Sequence, residues 1–185
     1  WPSVRIAWAG SSLMKALLQT SKLRPTSGPI SAAGLWGFGP GWTAAPPQCA
    51  ALADPAPTDA GARGLSASGP GGTVYVVVGS AKPDVTALAD QCGQWTMDFA
   101  HTSGTANLVE APHIDGAQTV AMTVATRTVV ESGTQTRGQA NTAQAYLDGH
   151  VAVVTLVTEP GSAHPPLDGG YVADLLGKAV AAVRG

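Results

Sequence analysis

Charge is what this sequence has least of. Asp, Glu, Lys and Arg make up 12% of its 185 residues, about half the share usual in globular domains. The surface must therefore be built largely from Thr, Ser, Gln, Gly and Ala. The net charge is −2 and like charges do not run together, so nothing supplies the positive field that nucleic acid or an anionic membrane surface requires. Nucleic acid is excluded as a partner on that ground. Long apolar runs are missing as well: none approaches the ~20 residues that cross a bilayer, and no transmembrane segment is expected within this chain. Cysteine is reduced to Cys49 and Cys92, too far apart for a CxxC metal or redox motif. They form either one structural disulfide in an exported protein or two buried thiols in a cytosolic one. Four lysines, 14 prolines and a surface rich in Thr, Gln and Gly favour export and a bridge. A chain of this length buries roughly two thirds of its unfolded surface, so a bridge would assist the fold without being required for it.

Motifs for chemistry are the next absence. The histidines, His101, His113, His150 and His164, lack the i,i+4 or H-x-E spacing of a zinc site. There is no G-x-S-x-G elbow for a serine nucleophile, and the S-x-x-K match at Ser12 to Lys15 lacks its S-D-N and K-T-G companions. Gly69-Pro-Gly-Gly72 is followed neither by G-K-[ST] nor by a helix, which removes the phosphate-loop reading. Glu110, His113 and Asp115 come nearest to a ligand cluster for a divalent ion, yet a solvated turn held by Pro112 accounts for the same residues. No catalytic residue, metal or cofactor is assigned.

What is present is a strand pattern. From Gln118 to Glu131 one parity carries Val120, Met122, Val124 and Val130 while the other is smaller or more polar, the period of a half-buried strand. A polar strand follows from Thr136 to Leu147. Then come Asp148-Gly149, a strong hairpin signal, and a run from Val151 to Val157 that is apolar on both parities. These three segments, 117–131, 134–147 and 150–158, predict an antiparallel meander. Leu65 to Ser68 and Thr73 to Val78 predict a hairpin around the glycine-rich turn, and Met97 to Ala100 and Thr105 to Glu110 two more strands. Helices are predicted from Pro46 to Ala53, from Pro83 to Cys92, and from about Gly169 to Val183, where Asp174 and Lys178 make an i,i+4 pair outside an apolar stripe. The expected fold is α+β in one domain over 1–185: an antiparallel twisted sheet of five to seven strands, a C-terminal meander, and helices packed on one face. Residues 1–33 read as an N-terminal extension with a short helix near Ser11 to Gln19.

Between Gly34 and Trp42, two of the five tryptophans and one of the two phenylalanines are interspersed with glycine. Backbone can fold tightly around large rings there, as a lid over the core or as the wall of a cleft. Trp36, Phe38 and Trp42 are the candidate ligand-binding residues, suited to a small apolar molecule. Arg127, Glu131, Arg137 and Glu159 mark a polar sheet face, fit for a polar ligand or for solvent alone.

Leu35-Trp-Gly-Phe-Gly-Pro-Gly-Trp42, Pro46-Pro-Gln-Cys-Ala-Ala-Leu-Ala-Asp-Pro55, Arg127-Thr-Val-Val-Glu-Ser-Gly-Thr134 and the ending Leu175 to Arg184 resemble, over about 29–185, a family of mycobacterial exported proteins and lipoproteins of unknown function, the DUF5642 type. More distantly the chain is similar to the extracellular sensor domain of PknH-type receptor kinases. The resemblance implies an α+β domain outside the cell membrane, secreted or attached to the envelope, with helices on one side of the sheet and a cleft, and no catalytic residues to carry over. The kinase sensor domains have two disulfides, and this chain has cysteines for one. The expected function is non-catalytic binding of a small apolar ligand or an envelope protein. A small hydrolase using His113 or His101 with a nearby Ser or Asp, and a structural envelope protein, are the rivals.

Overall fold

Strand period and turn chemistry resolve, in a computed structural model, into the sheet that the patterns call for; the structure describes residues 24–25, 41–56, 62–69, 72–81, 84–158 and 169–184. Among these, nine strands form one antiparallel sheet: β1 (Arg24–Pro25), β2 (Thr43–Ala45), β3 (Arg63–Gly69), β4 (Gly72–Ser80), β5 (Gln94–Phe99), β6 (Thr102–Val109), β7 (Gln118–Val129), β8 (Gln135–Leu147) and β9 (His150–Thr158). Their order is β1-β3-β4-β9-β8-β7-β6-β5-β2. The seven long strands are those expected; the two- and three-residue pieces at the edges carry too little pattern to be read. The helix expected at 11–19, and with it most of the N-terminal extension, lies outside the described residues, as do Trp36, Phe38, Glu159 and His164.

Turn residues set the registers. Asp148 and Gly149 both have positive φ, 48° and 76°, the pair of left-handed conformations a type I′ turn demands, and they hold Leu147 opposite His150. Gly72 opens β4 at φ 135°, and a Cβ there would lie 2.5 Å from the Val157 carbonyl oxygen, so only glycine fits. The meander β7-β8-β9 is contiguous, as predicted. β5 begins at Gln94, three residues earlier than the pattern suggests, because Trp95 and Met97 alternate inward from its first turn of pleat.

A 3-10 turn at Pro47–Cys49 runs into α1 (Ala50–Ala53), α2 spans Val85–Gln91, and α3 spans Gly169–Arg184. The Asp84 side chain caps α2 by accepting from the Ala87 amide at 3.0 Å. Along α3 the stripe Val172, Leu175, Leu176, Ala179 and Val180 is buried, and Lys178 meets Asp174 at 2.8 Å on the outside.

The helices do not share a face. Val85 and Leu52 pack with Val77, Val120, Met122 and Val153 on one side of the sheet, whereas α3 packs with Val76, Val78, Val154 and Leu156 on the other. The expectation of helices on one face is corrected here within an α+β class that stands. The physical reason is the double parity of the central strands: β4 and β9 are apolar on both sides, and each side needs a cover. Cys49 and Cys92, both fully buried, are bridged, with Cα atoms 5.7 Å apart. The disulfide ties the turn before α1 to the end of α2.

Candidate functional site

On the α3 side, small residues leave room under the start of the helix. Ala121 and Ala143 are directly paired across β7 and β8, with Val109 beyond Ala121 on β6. Where Val154 and Leu156 elsewhere fill the space under α3, two adjacent methyl groups cannot, and Ala173 above adds little. The result is a cavity of about 420 Å³ lined by Val109 to His113, Ala121, Met122, Asn141 to Ala143, Gly169, Val172 and Ala173. Met122 belongs to the opposite core, so the strand backbone at that position supplies the floor. The volume falls in the range of roughly 300–1,000 Å³ typical of small-molecule sites. Walls of Val109, Ala111, Pro112, Ala121, Val172 and Ala173 are apolar, with Asn141, Glu110 and His113 as the polar groups. Val109 is 47% exposed, an apolar side chain held open at the mouth.

The loop that forms one wall is anchored at both ends. Thr119 Oγ1 donates to the Pro112 carbonyl at 2.7 Å, and the Arg184 guanidinium donates to the Asp115 carbonyl, clamping the loop to the end of α3. His113 Nε2 lies 2.9 Å from Asp115 Oδ1, with the two side chains 89% and 97% exposed. So solvated a pair contributes little to stability. Of the sequence-level trio, His113 and Asp115 are brought together, while Glu110 sits on the cavity rim and joins no cluster of metal-ligating residues among the described residues. His101 is exposed in the β5–β6 turn.

Trp42 is placed elsewhere. Its ring is 5.6 Å from Phe99, tilted by 31°, and it packs on the disulfide-side core, across the sheet from the cavity. The cavity itself was not legible as a site. Along their own strands Ala121 and Ala143 stand among Thr119, Thr123, Asn141 and Ala145, and the valines they interrupt, Val109 and Val154, come from other strands, so no pattern within one segment marks the site.

On the same disulfide side, Gln144 is fully buried in β8. Its Nε2 donates to the Leu52 carbonyl at 2.5 Å, and its Oε1 accepts from the Tyr146 hydroxyl at 2.6 Å. This network joins the end of α1 to the sheet. Burial pushes the Tyr146 hydroxyl well above its usual pKa.

The fold and cavity define a class: an α+β domain with an open antiparallel sheet covered on both faces and a cleft under the C-terminal helix. The chain belongs to the DUF5642 family, a domain of unknown function, which it matches over residues 18–184. Among curated proteins none matches the sequence. An X-ray structure of an uncharacterized Mycobacterium smegmatis protein, an Rv0999 ortholog, is similar with TM-score 0.65 and 22% identity, over 100% of this chain and 99% of that one. The crystal structure of the extracellular domain of PknH from Mycobacterium tuberculosis is similar with TM-score 0.56 and 16% identity, over 94% of this chain and 91% of that one. At these identities the likeness is one of fold.

Proposed function

We propose that this chain is a non-catalytic, sensor-like binding domain that works outside the cell membrane, and that the cavity beneath α3 is its ligand site. The observation that carries this reading is the cavity itself: apolar walls, a few polar groups at the rim, and a floor of paired alanines on a sheet held rigid by a second layer behind it. Placement outside the membrane is supported by the buried disulfide, a bond that persists in oxidising compartments, and by the fold shared with an extracellular domain. Among the described residues no helix is long and apolar enough to cross a membrane. The His113–Asp115 pair has the orienting half of a hydrolase site, which keeps a hydrolase as the second reading to test.

Native mass spectrometry of protein recovered from its own envelope tests the reading. A co-purifying small molecule that is lost in Ala173→Phe, which fills the cavity from the helix side, is the expected result. A bound molecule retained in that variant would move the site elsewhere, and hydrolysis of ester probes abolished by His113→Ala would replace binding with catalysis.

A further inference from the structure

The α3 face of the sheet continues past the cavity. α3 packs on β8 and β9, so the distal half of the β7–β8 ribbon lies beyond the helix. Residues on this face follow in cross-strand pairs: Ala121–Ala143 in the cavity, then Thr123–Asn141, Ala125–Gln139 and Arg127–Arg137. Exposure grows along the series, from half-buried at Thr123 and Asn141 to exposed at both arginines. At about 3.3 Å per residue, the arginines lie on the order of 13–20 Å from the cavity floor.

The arginine pair is the unexpected feature. Like charges directly opposite each other on neighbouring strands repel, and this chain has only ten basic residues to place. Among the described residues neither Arg127 nor Arg137 has a carboxylate partner. Arg127 Nε instead donates to Gln135 Oε1 at 3.0 Å, which fixes the guanidinium while leaving its terminal nitrogens free. Asp98, in the same row, is separated from Arg127 by Ser103. Two arginines directly opposite each other without a carboxylate, one of them held by Gln135, suit a phosphate or sulfate oxyanion. At the other end of the track, the Glu110 carboxylate on the cavity rim repels an anion.

We propose that the ligand is an elongated anionic amphiphile: its apolar end fills the cavity, a hydroxylated middle lies over Thr123, Asn141 and Gln139, and a phosphate or sulfate ester meets Arg127 and Arg137. This rests on the cavity being the ligand site. The opposed charges at the two ends of the track set the direction of binding, and the amide and hydroxyl groups between them suit a sugar.

Titration calorimetry of the whole chain with octyl glucoside 6-phosphate, its 6-sulfate analogue, octyl glucoside and glucose 6-phosphate tests this. The charged octyl probes should bind roughly tenfold or more tighter than octyl glucoside, a gain expected of a charge-assisted pair. That gain should shrink with added salt and vanish in the double variant Arg127→Gln/Arg137→Gln, whose substitutions are at exposed positions and whose folding is checked by circular dichroism. Whichever oxyanion gives the larger gain identifies the ester. If octyl glucoside binds in the cavity but the anion adds nothing, or the double variant keeps the gain, the inference is overturned while the cavity reading stands. If glucose 6-phosphate alone binds as tightly as the full probe, the arginines serve a separate ligand and the single-amphiphile assignment falls. Failure of all probes, octyl glucoside included, counts against the cavity itself.

Discussion

Single side chains here carry tasks that their neighbours cannot share. Gln144 satisfies a backbone carbonyl and a tyrosine hydroxyl, both withdrawn from water. Gln144→Leu leaves both unsatisfied and is expected to lower unfolding free energy by about 2–4 kcal/mol, measured by urea denaturation. Asp54 behaves oppositely. Its Oδ1 is buried without a partner among the described residues, and burial raises its pKa above the usual 3.8 despite a hydrogen bond from the Ala56 backbone. A carboxyl raised in the folded state favours folding at pH below the unfolded value and loses that advantage as pH rises through the folded one. Asp54→Asn is therefore expected to raise Tm at pH 7, with the gain shrinking toward pH 4; a gain that grows on acidification would contradict the assignment. The Arg127–Arg137 pair also has a stability signature, independent of any ligand. Replacing Arg137 with Thr should stabilise the free protein by about 0.2–1 kcal/mol at low salt, and by less at high salt.

At the scale of elements, α3 and the disulfide are the two clamps, one on each face. Leu176 is fully buried on the stripe that α3 turns to β8 and β9. Leu176→Ala should cost about 2–5 kcal/mol, with the upper part of that range if the sheet does not collapse into the space left. On the other face, removing the bridge by Cys49→Ser/Cys92→Ser should cost about 4 kcal/mol in the chain-entropy account of a loop of this length. Alkylation and mass measurement of the native protein should find no free thiol; two modifiable thiols would break the bridge and much of the case for an oxidising compartment. The hairpin of β7 and β8 is the element least protected by either clamp, since residues 131–137 are exposed throughout.

Across the whole molecule, β4, β8 and β9 are shared by the two layers, so neither layer can melt alone without exposing strands that the other needs. Hydrogen exchange should show the amides of these central strands opening together, near the global unfolding free energy, while those near the β7–β8 turn exchange much faster. Leu176→Ala, on one face, should accelerate the slow set on both faces of the sheet alike; acceleration confined to α3 and its contacts would show two independent layers.

What the sequence determined by itself is local and periodic. Period two from Val120 to Val124, the Asp148-Gly149 turn and the apolar stripe of α3 each follow from the geometry of a few adjacent residues, which is why the meander and the terminal helix were legible. The run from Val151 to Val157, apolar on both parities, already stated that β9 is covered twice, but not by which helices. Only the tertiary structure decided that α1 and α2 lie on one face and α3 on the other, because that depends on connections across the sheet and not on any single segment. It also decided the site. A cavity is missing volume, produced where Ala121 and Ala143 meet across a register under a helix from a different part of the chain, and the facing of Arg127 and Arg137 is likewise fixed by register. No spacing along one strand records what will stand opposite it on the next.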